Sequence, residues 1–117
     1  MSTAKFNTWL NTDGTENFKV RAWVNFNGTG SVAIRAAGNV SSITDNGTGD
    51  YSVNFTNALP DANYSVHVTG DNSGASAFIP FLRTNASVPA LGSIRVGFTN
   101  SSFSSTDVTY ANVTVIR

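Results

Sequence analysis

Residues 20–26 of the chain read Val-Arg-Ala-Trp-Val-Asn-Phe, an alternation of two kinds of side chain. One parity carries small or apolar residues, namely Val20, Ala22, Val24 and Phe26. A period of two residues places successive side chains on opposite faces of a β-strand, so that one face can be buried. The stretch therefore predicts a strand with one buried face, and it places Trp23 on the face away from the core.

The same alternation recurs along the chain, at residues 51–55, 64–68, 94–98 and 108–115. Residues 32–35 and 77–82 are less regular strand candidates, and Pro80 must lie at a sheet edge or a bulge. The parity changes near Ala111–Asn112, which predicts a bulge or a strand covered on both faces.

Turn-forming residues separate these segments, at 27–30, 45–50 and 60–63. They include Asn and Gly, which tolerate positive φ, and Pro60, which fixes φ. No helical apolar spacing is present in the sequence. We therefore predict an all-β fold of about 7–8 strands, an antiparallel, jelly-roll-like β-sandwich or else a barrel.

Composition limits the function classes. Of 117 residues, 14 are Asn, 14 are Ser and 14 are Thr, whereas charged residues make up only 12% and the net charge is zero. A nucleic-acid-binding domain normally has a basic excess, so this composition argues against one. The chain has no cysteine, which excludes disulfides, thiolate metal sites and a cysteine nucleophile. No apolar run approaches the length of a membrane span.

Residues 1–19 lack a sustained period, and residues 20–117 are predicted to form a single sandwich domain. Phe6, Trp9 and Leu10 are the apolar residues of the first segment, which is interpreted as either a packed first strand or an N-terminal arm. As an arm it would dock onto a neighbouring subunit or a larger assembly, because Trp combines a large contact area with a donor.

Candidate catalytic groups are few. His67 is the single histidine and lies in a predicted strand, on the parity opposite the core, without a nucleophile elbow elsewhere in the sequence. Most of the seven acidic residues fall in turns, where Asp bonds to the backbone more often than it catalyses. No enzymatic activity, cofactor or metal site is predicted, although a symmetric His67 metal site is a minor alternative.

Eight Asn-x-Ser/Thr sequences could be glycosylation acceptors, at Asn27, Asn39, Asn46, Asn54, Asn63, Asn85, Asn100 and Asn112. Several fall inside predicted strands, where residues two apart share the polar face. We interpret them as structural.

Three segments resemble bacteriophage tail-fibre-like virion proteins. The first is AWVNFNGTG at 22–30 with VAIR at 32–35, the second is NVSSITDNGTGDYSVNF at 39–55, and the third is PDANY at 60–64. The resemblance covers about residues 21–68. It implies a β-sandwich knob, commonly a homotrimer, on an exposed virion appendage, with other virion proteins and a host-surface glycan as partners.

The resemblance leaves two roles open. The chain is expected to be either a short tail-fibre tip that contributes to host attachment or a capsid decoration (cement) protein that docks on capsomers through its arm. The candidate docking residues are Phe6, Trp9, Leu10 and Trp23. The candidate receptor-facing loops contain Asp71, Asn72 and Ser73, and Asn100, Ser101 and Ser102. A polysaccharide-degrading enzyme is the third hypothesis, and it requires a carboxylate pair in a cleft.

Overall fold

The alternating segments form eight antiparallel strands in a computed structural model that describes residues 3–72 and 78–117. The strands are β1 (Val20–Asn27), β2 (Ala33–Gly38), β3 (Val40–Gly47), β4 (Asp50–Phe55), β5 (Ser65–Asp71), β6 (Phe78–Leu82), β7 (Ser93–Asn100) and β8 (Tyr110–Ile116). They make two four-stranded sheets, in the orders β2-β1-β8-β5 and β3-β4-β7-β6. The predicted all-β sandwich is thus confirmed.

The strand pairing is built on hairpins. β1–β2, β3–β4 and β6–β7 pair with their sequence neighbours, and β8 inserts between β1 and β5. A strict jelly roll would pair the first strand with the eighth, the second with the seventh, and so on inward. Only the β1–β8 pair of that pattern is present among the described strands. The fold therefore shares with a jelly roll the packing of two four-stranded sheets but not the strand pairing.

The core consists of the apolar parity of the central strands. Phe26 of β1, Tyr51 of β4 and Phe98 of β7 are fully buried between the two sheets. The rings of Phe26 and Tyr51 meet edge to face with centroids 5.2 Å apart, a favourable aromatic geometry. The prediction for residues 20–26 is confirmed for Ala22, Val24 and Phe26, which are buried, and for Trp23, which points outward. It is wrong for Val20, which is 50% exposed at the start of β1.

Two local predictions need correction. The alternation did not reveal β3, because this edge strand has only Val40 and Ile43 half-buried and its other residues are mostly exposed. The bulge expected as one explanation at Ala111–Asn112 is wrong, because β8 pairs with β5 in continuous register there. The parity changes because Val108 is buried ahead of the strand, while Tyr110, the first strand residue, faces outward.

Pro80 lies in β6, which is an edge strand of its sheet, as its missing N–H requires. The opposite edge of the other sheet is β2, whose residues 33–37 are all exposed. No helix in the part of the chain that the structure describes is long and apolar enough to cross a membrane.

The sandwich has two distinct ends, named here for what they carry. At the arm end, the Arg117 amide donates to the Lys19 carbonyl, so the C-terminus lies beside the start of β1. At the loop end, the Gly28 amide donates to the Val108 carbonyl, so the β1–β2 turn lies beside the β7–β8 loop. The N-terminal arm and the β7–β8 loop therefore lie at opposite ends of the β-sheets.

Candidate recognition loop at one end of the sandwich

The described ends of the two loops predicted to face a receptor lie together at the loop end. The Thr109 hydroxyl donates to Asn72 Oδ1 at 2.5 Å, which ties the end of β5 to the start of β8. Phe78, the first residue of β6, pairs with Asn100, the last residue of β7. Asp71, Ser101 and Ser102 are exposed, whereas Ser73 lies outside the described residues.

Asn100 organises the β7–β8 loop. Its side-chain Oδ1 accepts hydrogen bonds from the backbone amides of Ser102 at 2.9 Å and Ser104 at 3.1 Å. Its backbone amide donates to the Ser104 carbonyl at 2.9 Å, and its carbonyl accepts from the Phe103 amide at 3.0 Å. Residues 100–104 thus form a closed turn in which one asparagine makes four hydrogen bonds.

Phe103 stands at the tip of this turn. Its side chain is 78% exposed, the highest value among the exposed large apolar residues, and its φ is +63°. A non-glycine residue in the left-handed region costs about 1–3 kcal/mol and persists only where the surroundings fix it. The hydrogen bonds around Asn100 supply that constraint, so the turn holds the backbone of Phe103 in a conformation that leaves its ring in solvent.

An ion-paired cluster on the outer face of the sheet anchors the base of the loop. Arg83 Nη2 donates to Ser105 Oγ at 3.2 Å, and Ser105 forms an isolated bridge with Thr99. Arg83 Nε lies 3.6 Å from Asp50, which also accepts two hydrogen bonds of 2.8 Å from Arg95. The Arg95 hydrogen bonds hold the pKa of Asp50 below its usual value, against the opposing effect of burial.

A buried network supports the far side of the loop. The Asp107 carboxylate accepts a 2.8 Å hydrogen bond from the Gly49 amide and lies 2.7 Å from the Tyr51 hydroxyl. Burial, followed by the hydrogen bond and negative charge of Asp107, raises the pKa of Tyr51 far above its usual value. Tyr51 therefore stays neutral and serves as a donor inside the core.

The predicted docking residues lie away from this loop. Phe6, Trp9 and Leu10 are exposed in the N-terminal arm, residues 3–19, which contains no strand and only a bridge from Leu10 to Glu16. Trp23 is separate from the arm, on the outer face of the first sheet, where it is 42% exposed and its indole lies over Gly38. Phe18, which the sequence analysis did not name, and Val20, which it placed on the buried parity, are also exposed.

An open groove of about 600 Å³ lies at the arm end, between the start of β1 and the loop after β4. Asn39 closes one side of it, with φ at +54° and its amide Nδ2 donating to the carbonyls of Arg21 and Asn57. Val20, Leu59 and Pro60 contribute apolar surface to the groove, and Lys19 and Arg21 contribute positive charge.

The candidate catalytic groups are spread over the molecule. His67 is exposed on β5, with Nε2 3.5 Å from Ser65 Oγ. All seven carboxylates accept hydrogen bonds from nearby residues, among them Asp61, which binds Arg117. Within residues 3–72 and 78–117, no group of three or more His, Cys, Asp or Glu side chains could hold a metal ion.

Six of the eight Asn-x-Ser/Thr asparagines make side-chain hydrogen bonds within the fold, namely Asn27, Asn39, Asn46, Asn54, Asn100 and Asn112. For example, Asn54 Nδ2 contacts the hydroxyls of Ser42 and Thr44 on the neighbouring strand. These amides link strands and close turns.

Comparison with known proteins does not assign this chain to a family. No protein-family model, no curated protein and no solved structure matches the chain.

Proposed function

We propose that this chain is a non-enzymatic bacteriophage virion surface protein of the tail-fibre type, which is attached at its arm end and presents its loop end to the host. The observation that carries the proposal is the unequal distribution of exposed apolar side chains. Six of them fall within the first 23 residues, namely Phe6, Trp9, Leu10, Phe18, Val20 and Trp23.

Such side chains favour association with another protein surface. An aromatic side chain has about 150–250 Å² of surface, so four half-exposed rings offer roughly 400 Å². A standard protein interface buries about 800 Å² per partner. The aromatic residues of this segment thus provide about half of one standard interface, and the groove beside the arm could provide more. A homotrimer is the assembly that we propose, in line with the resemblance of residues 21–68 to tail-fibre-like proteins.

Light scattering coupled to size-exclusion chromatography at micromolar concentration tests the assembly. The expected molar mass is three times that of one chain. A Phe6→Ser, Trp9→Ser double variant should shift toward the monomer because it removes apolar contact area at the arm end. Phe103→Ser removes a ring that is more exposed than Phe6 or Trp9 but lies at the opposite end, and it should remain trimeric. A monomeric wild type would overturn the proposed assembly.

The cement role is the second candidate, because residues 3–19 contribute no strand to the sandwich and expose the apolar side chains that could clamp capsomers. Immunogold labelling of virions separates the two roles. Labelling confined to the tail supports a fibre, whereas hundreds of sites over the shell support a cement protein. Absence of the protein from purified virions would overturn both.

A further inference from the structure

We propose that Phe103 and the β7–β8 loop that displays it form a binding site for a neutral glycan, with the Phe103 ring stacking on the face of a hexose. The inference rests on the proposed function in one respect, since it assigns a ligand class to the end that would face the host. Phe103 was not among the residues selected from the sequence.

The first argument is that the backbone that carries the ring is fixed before any ligand arrives. The backbone at Phe103 is left-handed, and the Asn100 side chain binds the amides on both sides of the tip residue, at Ser102 and Ser104. A contact residue that is already ordered loses little conformational entropy on binding. Among residues 3–72 and 78–117 the ring is 78% exposed, so it contributes little to the packing of the sandwich.

The second argument is the chemistry around the ring. Every other residue from Thr99 to Thr106 carries a hydroxyl or an amide, and none of residues 99–106 is ionisable. A hexose has a C–H face that packs on an aromatic ring and a rim of hydroxyl groups that both donate and accept hydrogen bonds. The exposed hydroxyls of Ser101, Ser102 and Ser104 can match that rim, because hydroxyls also donate and accept.

The third argument concerns the charge of the ligand. Two arginines are hydrogen-bonded to the loop. Arg83 binds Ser105 at the base of the loop and is held on the outer sheet face near Asp50. Arg35 donates to the Thr109 carbonyl at the end of the loop while its guanidinium lies over the Tyr110 ring. The Asp107 carboxylate within the loop is occupied by Gly49 and Tyr51. Residues 100–104, which form the tip, carry no charged side chain, so a neutral glycan is the complementary partner.

Other occupants fit less well. A protein interface needs an apolar core within about 800 Å² per partner, and a single ring among hydroxyls does not provide one. Membrane-surface segments combine several apolar residues with cationic ones, and residues 99–106 have one apolar residue and no cation.

The test is binding of the purified protein to a panel of immobilised oligosaccharides. The panel contains neutral chains of glucose, mannose, galactose and N-acetylglucosamine, with sialylated and sulfated chains for comparison. Four proteins are compared, namely the wild type, Phe103→Ser, Phe103→Trp and Phe6→Ser. We expect the wild type to bind at least one neutral chain, and Phe103→Ser to lose at least tenfold in apparent affinity. Phe103→Trp keeps an aromatic face and Phe6→Ser alters the opposite end, so both should retain binding.

Thermal unfolding of each variant confirms that Phe103→Ser remains folded. The inference is overturned if no neutral chain is bound, if only acidic chains are bound, or if Phe103→Ser binds as the wild type does. A trimeric virion component that binds no neutral glycan would refute the ligand class alone. A monomeric protein that binds glycan through Phe103 would refute the proposed assembly alone.

Discussion

The hydroxyl of Tyr51 lies 2.7 Å from both Asp107 Oδ1 and the Gly28 carbonyl, so one buried tyrosine joins three segments of the loop end. Replacing it by Phe leaves the ring and removes the donor shared by these two acceptors. Asp107 would keep its bond from the Gly49 amide, whereas the buried Gly28 carbonyl would lose the Tyr51 donor. An unsatisfied buried acceptor costs about 1–3 kcal/mol, and Tyr51→Phe should lower the free energy of unfolding by that amount. Urea denaturation at pH 7 measures it, with Tyr110→Phe, an exposed tyrosine on the outer face, as the control. Equal stability of Tyr51→Phe and the wild type would contradict the network.

The same tyrosine predicts alkaline sensitivity. Its pKa in the folded chain is raised above the usual 10.0, chiefly by burial. Above that pH the unfolded chain loses the proton while the folded chain keeps it, so stability falls as the pH rises. The wild type should therefore lose more stability than Tyr51→Phe between about pH 9 and pH 11. Urea midpoints across this range test the prediction, and parallel curves for the two proteins would contradict it.

Two glycines with the same backbone conformation differ in their surroundings. Gly30 has a φ of +60° and open space within 4 Å of the point that a Cβ would occupy, whereas Gly49 has a φ of +63° and backbone atoms of Phe98 and Thr106 within 2.8 Å of that point. Gly30→Ala should cost only the left-handed penalty of about 1–2 kcal/mol. Gly49→Ala adds a backbone clash and should cost about 1–3 kcal/mol more. Urea denaturation of both variants measures the difference, and similar unfolding free energies would show that the close contact at Gly49 is unimportant.

Asp50 predicts an acid-sensitive contribution to stability. Its pKa is lowered below 3.8, first by the Arg95 hydrogen bonds, so its contribution is present above the unfolded value and is lost as the pH falls. Asp50→Asn should be less stable than the wild type at pH 7, and the difference should shrink near about pH 2.5. Asp71→Asn changes an exposed carboxylate and serves as the control. A gap between wild type and Asp50→Asn that stays constant with pH would contradict the ion-pair account.

The strain at Phe103 predicts a gain in stability when the aromatic side chain is replaced by asparagine. Asn tolerates a positive φ better than Phe, and the exposed ring contributes almost no burial. Phe103→Asn should therefore raise the free energy of unfolding by up to about 1 kcal/mol. Phe6→Asn, an exposed ring outside any strained turn, should leave it unchanged. A destabilised Phe103→Asn would mean that the tip residue is not strained.

The central strands were predictable because their burial follows the sequence period. In β1, β4 and β7, apolar side chains of one parity fill the space between the sheets. The period fails for β3, an edge strand with little buried surface, and at Val108, which enters the core from a loop. An alternating sequence pattern predicts which residues are buried only where one face of a strand is fully covered by the other sheet.

The position of the β7–β8 loop was predictable from the sequence, but the exposure of Phe103 at its tip was not. The polar run after β7 indicated an exposed loop, and Asn100, Ser101 and Ser102 were selected from it. The left-handed backbone at Phe103 depends on hydrogen bonds that Asn100 makes in three dimensions, and no spacing in the sequence encodes them. An isolated aromatic residue in a run of serines was the one available signal.

Pro80 affects how the protein associates with itself at high concentration. A strand at an open edge can recruit a strand from another chain, and proline opposes this by removing a backbone donor. β6 carries Pro80, whereas the other three edge strands, β2, β3 and β5, have no proline. Of these three, β2 has the largest share of apolar residues, so unwanted growth of a sheet would begin there most readily. A lysine or proline placed in β2 would be the most direct way to keep concentrated protein soluble.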